Sequence, residues 1–519
     1  MTQDTALAIL STGANVFLTG EPGSGKTYVV NKYIAALRAH GLNVAVTAST
    51  GIAATHIGGV TIHSWCGIGI KDYLSKRELE FIADNERLSK KILETHVLII
   101  DEISMLEAKT LEMVDQVLRQ VRNSAQPFGG LQVVLVGDFF QLPPITKRQN
   151  EQPSFAFEAP AWAEAMFTIC YLTEQHRQSD PALSSVLADI RGGDISDATH
   201  THLRTRHVLH HQEKNTATKL FSHNANVDSV NIEKLAELPG EIHSFMMTSH
   251  GSKPKIESLI RGCLSPEKLD LKIGAAVMCT RNNPELGFVN GTLGTVIDFD
   301  PAEGFPIIRT SAGRVITIEP MEWAIEDGDK IMASVTQVPL RLAWAITVHK
   351  SQGMSLDAAM MDLSRSFAYG QGYVALSRVR TLDGIFLLGW NDRALMIDPS
   401  IQIQDRILRT HSLAAETDWN GKTLAEQKSL REEFILSNGG RLEPVKQKKH
   451  GGPPVTTYHE RLDKIRSTYP QAYTPWTEEA DATLTEMYRG EVTVKKISTK
   501  LGRQPSAIRA RLKHLGLRG

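Results

Sequence analysis

Residues 15–20, NVFLTG, read as a short apolar strand; GEPGSGKT (Gly20 to Thr27) follows, and YVVNKYIAALRAHG then has the spacing of a helix. A G-x-x-x-x-G-K-[ST] loop between strand and helix turns consecutive backbone N–H groups inward at a helix N-terminus, where the macrodipole also favours anions. The stretch is therefore a phosphate cradle, and it commits the chain to an α/β fold with a parallel sheet. Gly20, Gly23, Ser24, Gly25, Lys26 and Thr27 are the candidate nucleotide contacts. Lys26 would reach the β- and γ-phosphates, and the Thr27 hydroxyl would ligate Mg²⁺.

Two further stretches bring chemistry to such a cradle. HVLIIDEIS, residues 96–104, is an apolar strand that ends in Asp101 and Glu102. A P-loop fold takes its second metal contact from a carboxylate at a strand's C-terminal end, so Asp101 is the candidate partner of Thr27 on Mg²⁺. Glu102 is then the candidate general base for the attacking water. LQVVLV is a third apolar strand, leading into GDFFQLPP at residues 137–144. With the P-loop and Asp101 strands as neighbours, its end points at the same crevice. Gln141 would meet the γ-phosphate or the water there as a neutral group, on a loop stiffened by Pro143 and Pro144. An ordinary surface turn is the other reading.

The 519 residues are 41% hydrophobic and 22% charged, the profile of a soluble globular protein of roughly three or four domains. Cys66, Cys170, Cys263 and Cys279 are scattered without a C-x-x-C, which indicates neither a disulfide framework nor a zinc site and fits a reducing compartment. MTQDTALAIL lacks the basic start and long apolar core of a secretory leader, and no apolar run approaches the roughly 18 residues of a membrane span. A cytoplasmic protein without a membrane partner is expected. Net charge is −1, yet from Arg441 to Gly519 there are 16 Lys and Arg against 8 Asp and Glu, so a +8 tail follows a body of −9. His200, His202, His207, His210 and His211 cluster without a cysteine or carboxylate pattern, and no metal site is assigned to them.

Six ordered blocks, FLTGEPGSGKT, VTASTGIAATHIGGVTIHSW, LIIDEISML, VGDFFQLPP, WAITVHKSQGMSLD and GYVALSRVR, resemble the motif set of the Pif family of superfamily 1B DNA helicases, relatives of the RecD helicases. The resemblance implies two RecA-like domains with parallel sheets. It also implies ATP-driven movement 5′ to 3′ along single-stranded DNA, with duplex separation. Gln3 matches the family's adenine-reading glutamine. Arg177 in LTEQHRQSD and Arg378 in YVALSR resemble the two arginines that reach the transferred phosphate from the second domain, stabilising developing charge and coupling hydrolysis to closure. His176 departs from the aromatic that many members carry there. By resemblance, Thr47, Ser49 and Thr50 of TASTGIAA and His63, Ser64 and Trp65 of TIHSW lie on single-stranded DNA, where hydroxyls suit phosphates and an aromatic can stack on a base. A core tryptophan is the other reading of Trp65. In ITVHKSQG, Thr347, His349, Lys350 and Gln352 resemble the segment joining the DNA backbone to the ATP site, with Gln352 on the nucleotide side.

The expected organisation is a first RecA-like domain over 1–171, with an excursion at 66–82 that resembles the wedge of family members at a duplex junction. A second RecA-like domain would occupy 172–235 and 336–410. Between them, 236–335 holds short alternating stretches with NG, EG and AG turns, read as a small β-barrel like the family's SH3-like insertion. It would cover the DNA channel or serve as a plain structural insert. A helix and a basic linker follow over 411–473. In 474–519, three helical patterns place Leu484 and Tyr488, then Val494, Ile497 and Leu501, then Ile508, Leu512 and Leu515 inward, leaving Arg509, Arg511 and Lys513 outward. PWTEEAD resembles the start of a Myb/SANT-like domain, a helix-turn-helix reader of duplex DNA. A structural or protein-binding bundle is the other reading.

The reading that follows is an ATP- and Mg²⁺-dependent DNA helicase that unwinds duplex or structured DNA, nucleoid-associated, serving repair, recombination or telomere/replication-type maintenance. It would act as a monomeric motor on single-stranded DNA and single-to-double-strand junctions, with its tail on duplex DNA. An ATP-driven clamp or remodelling switch without processive unwinding is the alternative, although a clamp does not need TVHKSQG and YVALSR. A RecD-like subunit of a nuclease complex is a third reading, and the chain carries no carboxylate–lysine nuclease signature of its own.

Overall fold

Apolar strands alternating with helices must be covered on both faces, which a parallel sheet between helix layers provides. The computed structural model describes residues 1–69, 71–144, 154–174, 180–208, 218–221, 227–283, 286–301, 303–310, 313–327, 330–348, 351, 355–443, 467, 469–471, 474, 476–490, 492–503 and 505–517. The first six strands are β1 (Val16–Gly20), β2 (Val44–Ala48), β3 (Val60–Thr61), β4 (Val97–Asp101), β5 (Gln132–Val136) and β6 (Thr168–Leu172). They pair in the order β3-β2-β4-β5-β1-β6, all parallel. Side chains alternate between two cores: Phe17, Leu98, Ile100, Val133 and Leu135 enter one, and Val16, Leu18, Val97, Ile99, Val134 and Val136 the other. The P-loop strand β1 and the Asp101 strand β4 are not neighbours as expected, because β5 lies between them. All five residues of β5 are buried, as are those of β1, as strands flanked on both edges and covered on both faces require.

β7 (Thr218–Phe221) starts a second parallel sheet that is completed only after a long excursion. The excursion contains β8 (His243–Met246), β9 (Thr248–Gly251), β10 (Lys268–Leu271), β11 (Ala276–Cys279), β12 (Leu293–Phe299), β13 (Pro306–Thr310), β14 (Val315–Thr317), β15 (Met321–Asp327), β16 (Lys330–Gln337) and β17 (Leu340–Leu342). They form a five-stranded antiparallel sheet, β14-β13-β12-β11-β17, a β10-β8 pair and a three-stranded sheet, β15-β16-β9. The expected insert boundary at 335 cuts β16, and Leu340 of β17 still packs with Val277 and Val296 in the insert's own core. β18 (Ala345–Thr347), β19 (Ala359–Leu363) and β20 (Ile385–Trp390) then complete the second sheet in the order β18-β7-β19-β20.

The expected break at residue 411 falls inside the helix Pro399–Gly421, which Asp398 caps. A second helix, Leu424–Ser437, starts from a capping box of Thr423 and Glu426. Its Phe434 packs with Leu10, Leu18 and Val30 of the first domain, and the Gly440 and Arg441 N–H groups donate to Ile435 O and His40 O. This stretch is part of the motor body because its apolar face is used, and the basic linker expected after it, from residue 444, lies outside the described residues. In the 66–82 excursion Cys66, Ile68 and Ile82 are buried, while Tyr73 and Phe81 are exposed.

Contacts divide the chain into Met1–Val445 and Lys446–Gly519. The second unit has helices Glu478–Arg489, Val494–Leu501 and Pro505–His514 around Leu484, Ile497, Ile508 and Leu512, with Tyr488, Val494, Leu501 and Leu515 packed against them. Thr477 caps the first helix, and Gly502 ends the second in a left-handed conformation. Among the described residues no helix is long and apolar enough to cross a membrane.

Candidate active site

β1 runs directly into the loop. Gly20 adopts φ +145°, and a Cβ there would lie 2.7 Å from Leu172 O and 2.8 Å from Ser24 Oγ, so only glycine fits. Lys26 opens the helix Lys26–Ala39, behind Gly25 at φ 89°. Its Nζ bends over the loop and donates to Gly20 O (2.7 Å) and Glu21 O (3.1 Å). Ser24 is buried and its Oγ has no hydrogen-bond partner, a polar atom that a phosphate oxygen would satisfy. Gln3 donates from Nε2 to Ser24 O at 3.1 Å, which places the expected adenine reader against the loop. Thr27 is exposed on the first turn.

At the end of β4, burial pushes the Asp101 carboxyl up to about 7, and the Glu102 charge adds to the shift against Lys26 and the Glu102 N–H. A cation beside it would reverse that shift. Glu102 adopts φ 52° and ψ 48°, a left-handed conformation rare for a residue with a Cβ. Two bonds from the end of β2 hold it: Ser49 N–H donates to Asp101 O (3.1 Å), and Ser49 Oγ donates to Glu102 O (2.7 Å).

After β5 the chain makes a tight turn, with Gln141 N–H donating to Asp138 O at 3.0 Å. Gln141 is buried, and its Oε1 accepts from Nη2 of Arg378 at 3.4 Å. Arg378 follows the wholly buried helix Gln371–Leu376, donating from Nε to Val374 O (3.0 Å) and from Nη2 to Ser377 Oγ (3.1 Å). Burial lowers its pKa, and the Glu102 charge opposes the shift. An amide at the tip of the first sheet thus meets a guanidinium supplied by the second.

The DNA-facing candidates fare less evenly. Thr47 is fully buried, with Oγ1 donating to Ile99 O at 2.7 Å, and the Ser49 hydroxyl is taken by Glu102, so neither side chain faces a nucleic acid. Thr50 Oγ1 accepts from Ala53 N–H at the start of the helix Gly51–His56. Trp65 is 4% exposed, packed in the main core with Lys91 Nζ over its ring at 5.3 Å, and is not a stacking platform. His63 is half-buried, with its pKa lowered by burial against the Glu107 charge; Ser64 is exposed. Thr347 is buried at the end of β18. Arg177, His349, Lys350 and Gln352 lie outside the described residues, as does the Lys513 side chain.

In the tail, Arg509 is exposed. Arg511 is not outward: it donates to both Asp481 oxygens (2.8 and 2.5 Å) and sits 5.6 Å from the Trp476 ring, whose other guanidinium neighbour, Arg503, lies at 4.3 Å. A carboxylate one helix away is a partner that helical spacing alone does not reveal. Among the described residues no group of three or more His, Cys, Asp and Glu is placed to hold a metal, and His210 and His211 lie outside them. The sequence reading also missed Arg191, Tyr171, Tyr373 and Asp405, which surround the acid of GDFFQLPP.

A P-loop sheet whose strand ends meet an arginine from a second parallel sheet defines a two-domain, ATP-hydrolysing motor. Residues 3–200 match the model of the PIF1-like helicase family, and residues 256–299 match that of the DNA helicase Pif1 2B domain. An ATP-dependent DNA helicase Pif1 from a Psychrobacter species is 43% identical over 501 residues, covering 85% of this chain and 76% of the relative. The crystal structure of a Bacteroides sp. Pif1 in complex with ADP-AlF4 is 33% identical with a TM-score of 0.70, over 79% of this chain and 96% of that one. A Bacteroides Pif1 bound to ssDNA is 34% identical with a TM-score of 0.55 over the same shares. The chain belongs to the PIF1-like helicase family and is an ATP-dependent DNA helicase.

Proposed function

We propose that this helicase hydrolyses Mg²⁺-ATP at the loop Gly20 to Thr27 to move 5′ to 3′ along single-stranded DNA. The contact between Gln141 and Arg378 carries the reading, because it joins the tips of two motor sheets beside Glu102. Lys26 and the Ser24 hydroxyl hold phosphate oxygens, with Gly20, Gly23 and Gly25 shaping the loop and Gln3 beside the base. Thr27 and Asp101 would hold Mg²⁺, which supplies charge neutralisation to the phosphates. Glu102 orients and deprotonates the attacking water. Gln141 senses the γ-phosphate, and Arg378, with Arg177 by family likeness, stabilises charge developing on it.

The single-stranded DNA reading draws support from the Bacteroides relative bound to ssDNA. Thr50, His63 and Ser64 remain its side-chain candidates on the first domain, with His349 and Lys350 on the second. Exposed Tyr73 and Phe81 suit contact with a duplex junction. In the tail, the basic third helix presents Arg509 to duplex DNA and tethers a monomeric, cytoplasmic motor. ATP hydrolysis with and without single-stranded DNA, for the parent and Lys26→Ala, tests the core of this. DNA should stimulate the parent strongly and the variant not at all; hydrolysis indifferent to DNA would remove the motor reading.

A further inference from the structure

The acid of GDFFQLPP has a partner that its own loop does not supply. Asp138 is completely buried, and its Oδ2 accepts from Arg191 Nη1 at 3.0 Å. Arg191 comes from the helix Pro181–Gly192, which follows β6 in the chain, and is only 5% exposed. The same Nη1 donates to Tyr373 Oη (2.8 Å), while Nη2 donates to Tyr171 Oη (2.7 Å) and Asp405 Oδ1 (3.4 Å). The guanidinium also lies 3.7 Å from the centroid of the Phe140 ring. Burial alone would lower the Arg191 pKa, but Asp138, Tyr373, Tyr171 and Asp405 outweigh it and keep the side chain charged.

Asp138, Phe140, Tyr373 and Asp405 each link to a part of the ATP site. Asp138 and Phe140 flank the turn that presents Gln141, and Tyr373 is in the helix that leads to Arg378. Asp405 also accepts from Arg409 Nε (2.7 Å), and Arg409 reaches Glu21 of the P-loop at 3.8 Å. The turn and the helix touch directly. Gly370 caps that helix at φ +74°, and a Cβ on it would come within 2.8 Å of Phe140 O. Packing alone does not call for an ion here, since well-packed apolar residues of similar volume are often as stabilising as a buried pair. What the ion adds is direction: one nitrogen bonds two elements from different sheets at fixed angles.

We propose that Arg191 is a positioning residue for ATP turnover: by gripping Asp138 and Tyr373 from one nitrogen, it sets Gln141 and Arg378 in register so that both meet the γ-phosphate together. The proposal rests on the roles given above to Gln141 and Arg378. Its test uses the full chain with Arg191→Lys, which keeps the charge but loses the fork, and Tyr373→Phe, which removes one hydroxyl and keeps the ring. DNA-stimulated kcat, ADP affinity, ADP–aluminium fluoride affinity and melting temperature are measured, with Gln141→Ala and Arg378→Ala as controls. A misplaced reacting group can cost on the order of 10- to 100-fold, the loss expected of Arg191→Lys, and roughly tenfold is expected of Tyr373→Phe. ADP affinity should stay within about twofold while ADP–aluminium fluoride affinity falls with kcat. Equal losses of both affinities with early melting would reduce Arg191 to a support of the fold. Parent-like kcat in both variants would also overturn the proposal. Slow controls would then leave the Gln141 and Arg378 roles standing, and fast controls would remove those too.

Discussion

Replacing Ser49 by alanine separates two accounts of the same residue. Its hydroxyl is 2.7 Å from Glu102 O and its side chain is buried, so the structure makes it a brace of the catalytic turn and not a phosphate contact. The brace works against strain: a left-handed conformation at Glu102 costs about 1–3 kcal/mol. One such hydrogen bond contributes about 1 kcal/mol net, and because Glu102 O still accepts from the Met105 N–H at 3.2 Å, no further penalty for an unmatched carbonyl is added. Tether and strain are thus of similar size, and without the tether Glu102 should spend much of its time relaxed. If about 1 kcal/mol is lost from the turn that places the base, kcat falls roughly fivefold. The assay is DNA-stimulated ATP hydrolysis, with fluorescence anisotropy for single-stranded DNA affinity. We expect the slower kcat with unchanged DNA Kd. An unchanged kcat with weakened DNA binding would refute the brace and restore the phosphate contact.

Three other outcomes follow from the same geometry. Trp65→Ala should destabilise the first domain by about 3–5 kcal/mol through the cavity it leaves, lowering the melting temperature, whereas Trp65→Phe should retain parent-like DNA affinity; a DNA defect in the phenylalanine variant would return the ring to the DNA track. In the tail, Arg511→Ala should loosen the packing of the third helix on Trp476 and Asp481, seen as faster amide exchange there, while Arg509→Ala should weaken duplex binding and its salt dependence with the fold intact. The reverse pairing would put Arg511 on DNA. Chelating Mg²⁺ should abolish hydrolysis, and Asp101→Asn should raise the Mg²⁺ concentration needed for half-maximal rate; an unshifted requirement would remove Asp101 as a metal ligand.

How far the site could be read from the chain depended on whether its constraint was local. The phosphate loop is legible because glycines, lysine and threonine must stand at fixed spacing between one strand and one helix. The tail core is legible for a similar reason: within each helix the apolar residues stand at helical spacing, Leu484 with Tyr488, Val494 with Ile497 and Leu501, and Ile508 with Leu512, and Leu484, Ile497, Ile508 and Leu512 are buried. Pairing across the chain leaves no such trace. Asp138 and Arg191 meet over 53 residues, Arg191 and Tyr373 over 182, and nothing near either end signals the other. Small polar residues crowding the end of a strand suggest phosphate contacts at Thr47 and Ser49; that β4 lies alongside, so that Ile99 O takes one hydroxyl and Glu102 O, just past its end, takes the other, is a matter of strand order. The central place of β5 was missed on the same ground. Apolar runs tell that a strand is buried but not which strands flank it.

The most direct test uses partial duplexes that carry either a 5′ or a 3′ single-stranded tail, incubated with ATP and Mg²⁺, with Lys26→Ala as control. The account expects separation of the 5′-tailed substrate only, and none with the variant. Opening of the 3′-tailed substrate alone would contradict the direction of travel, and DNA-stimulated hydrolysis without opening of either would leave an ATP-driven clamp in place of a motor.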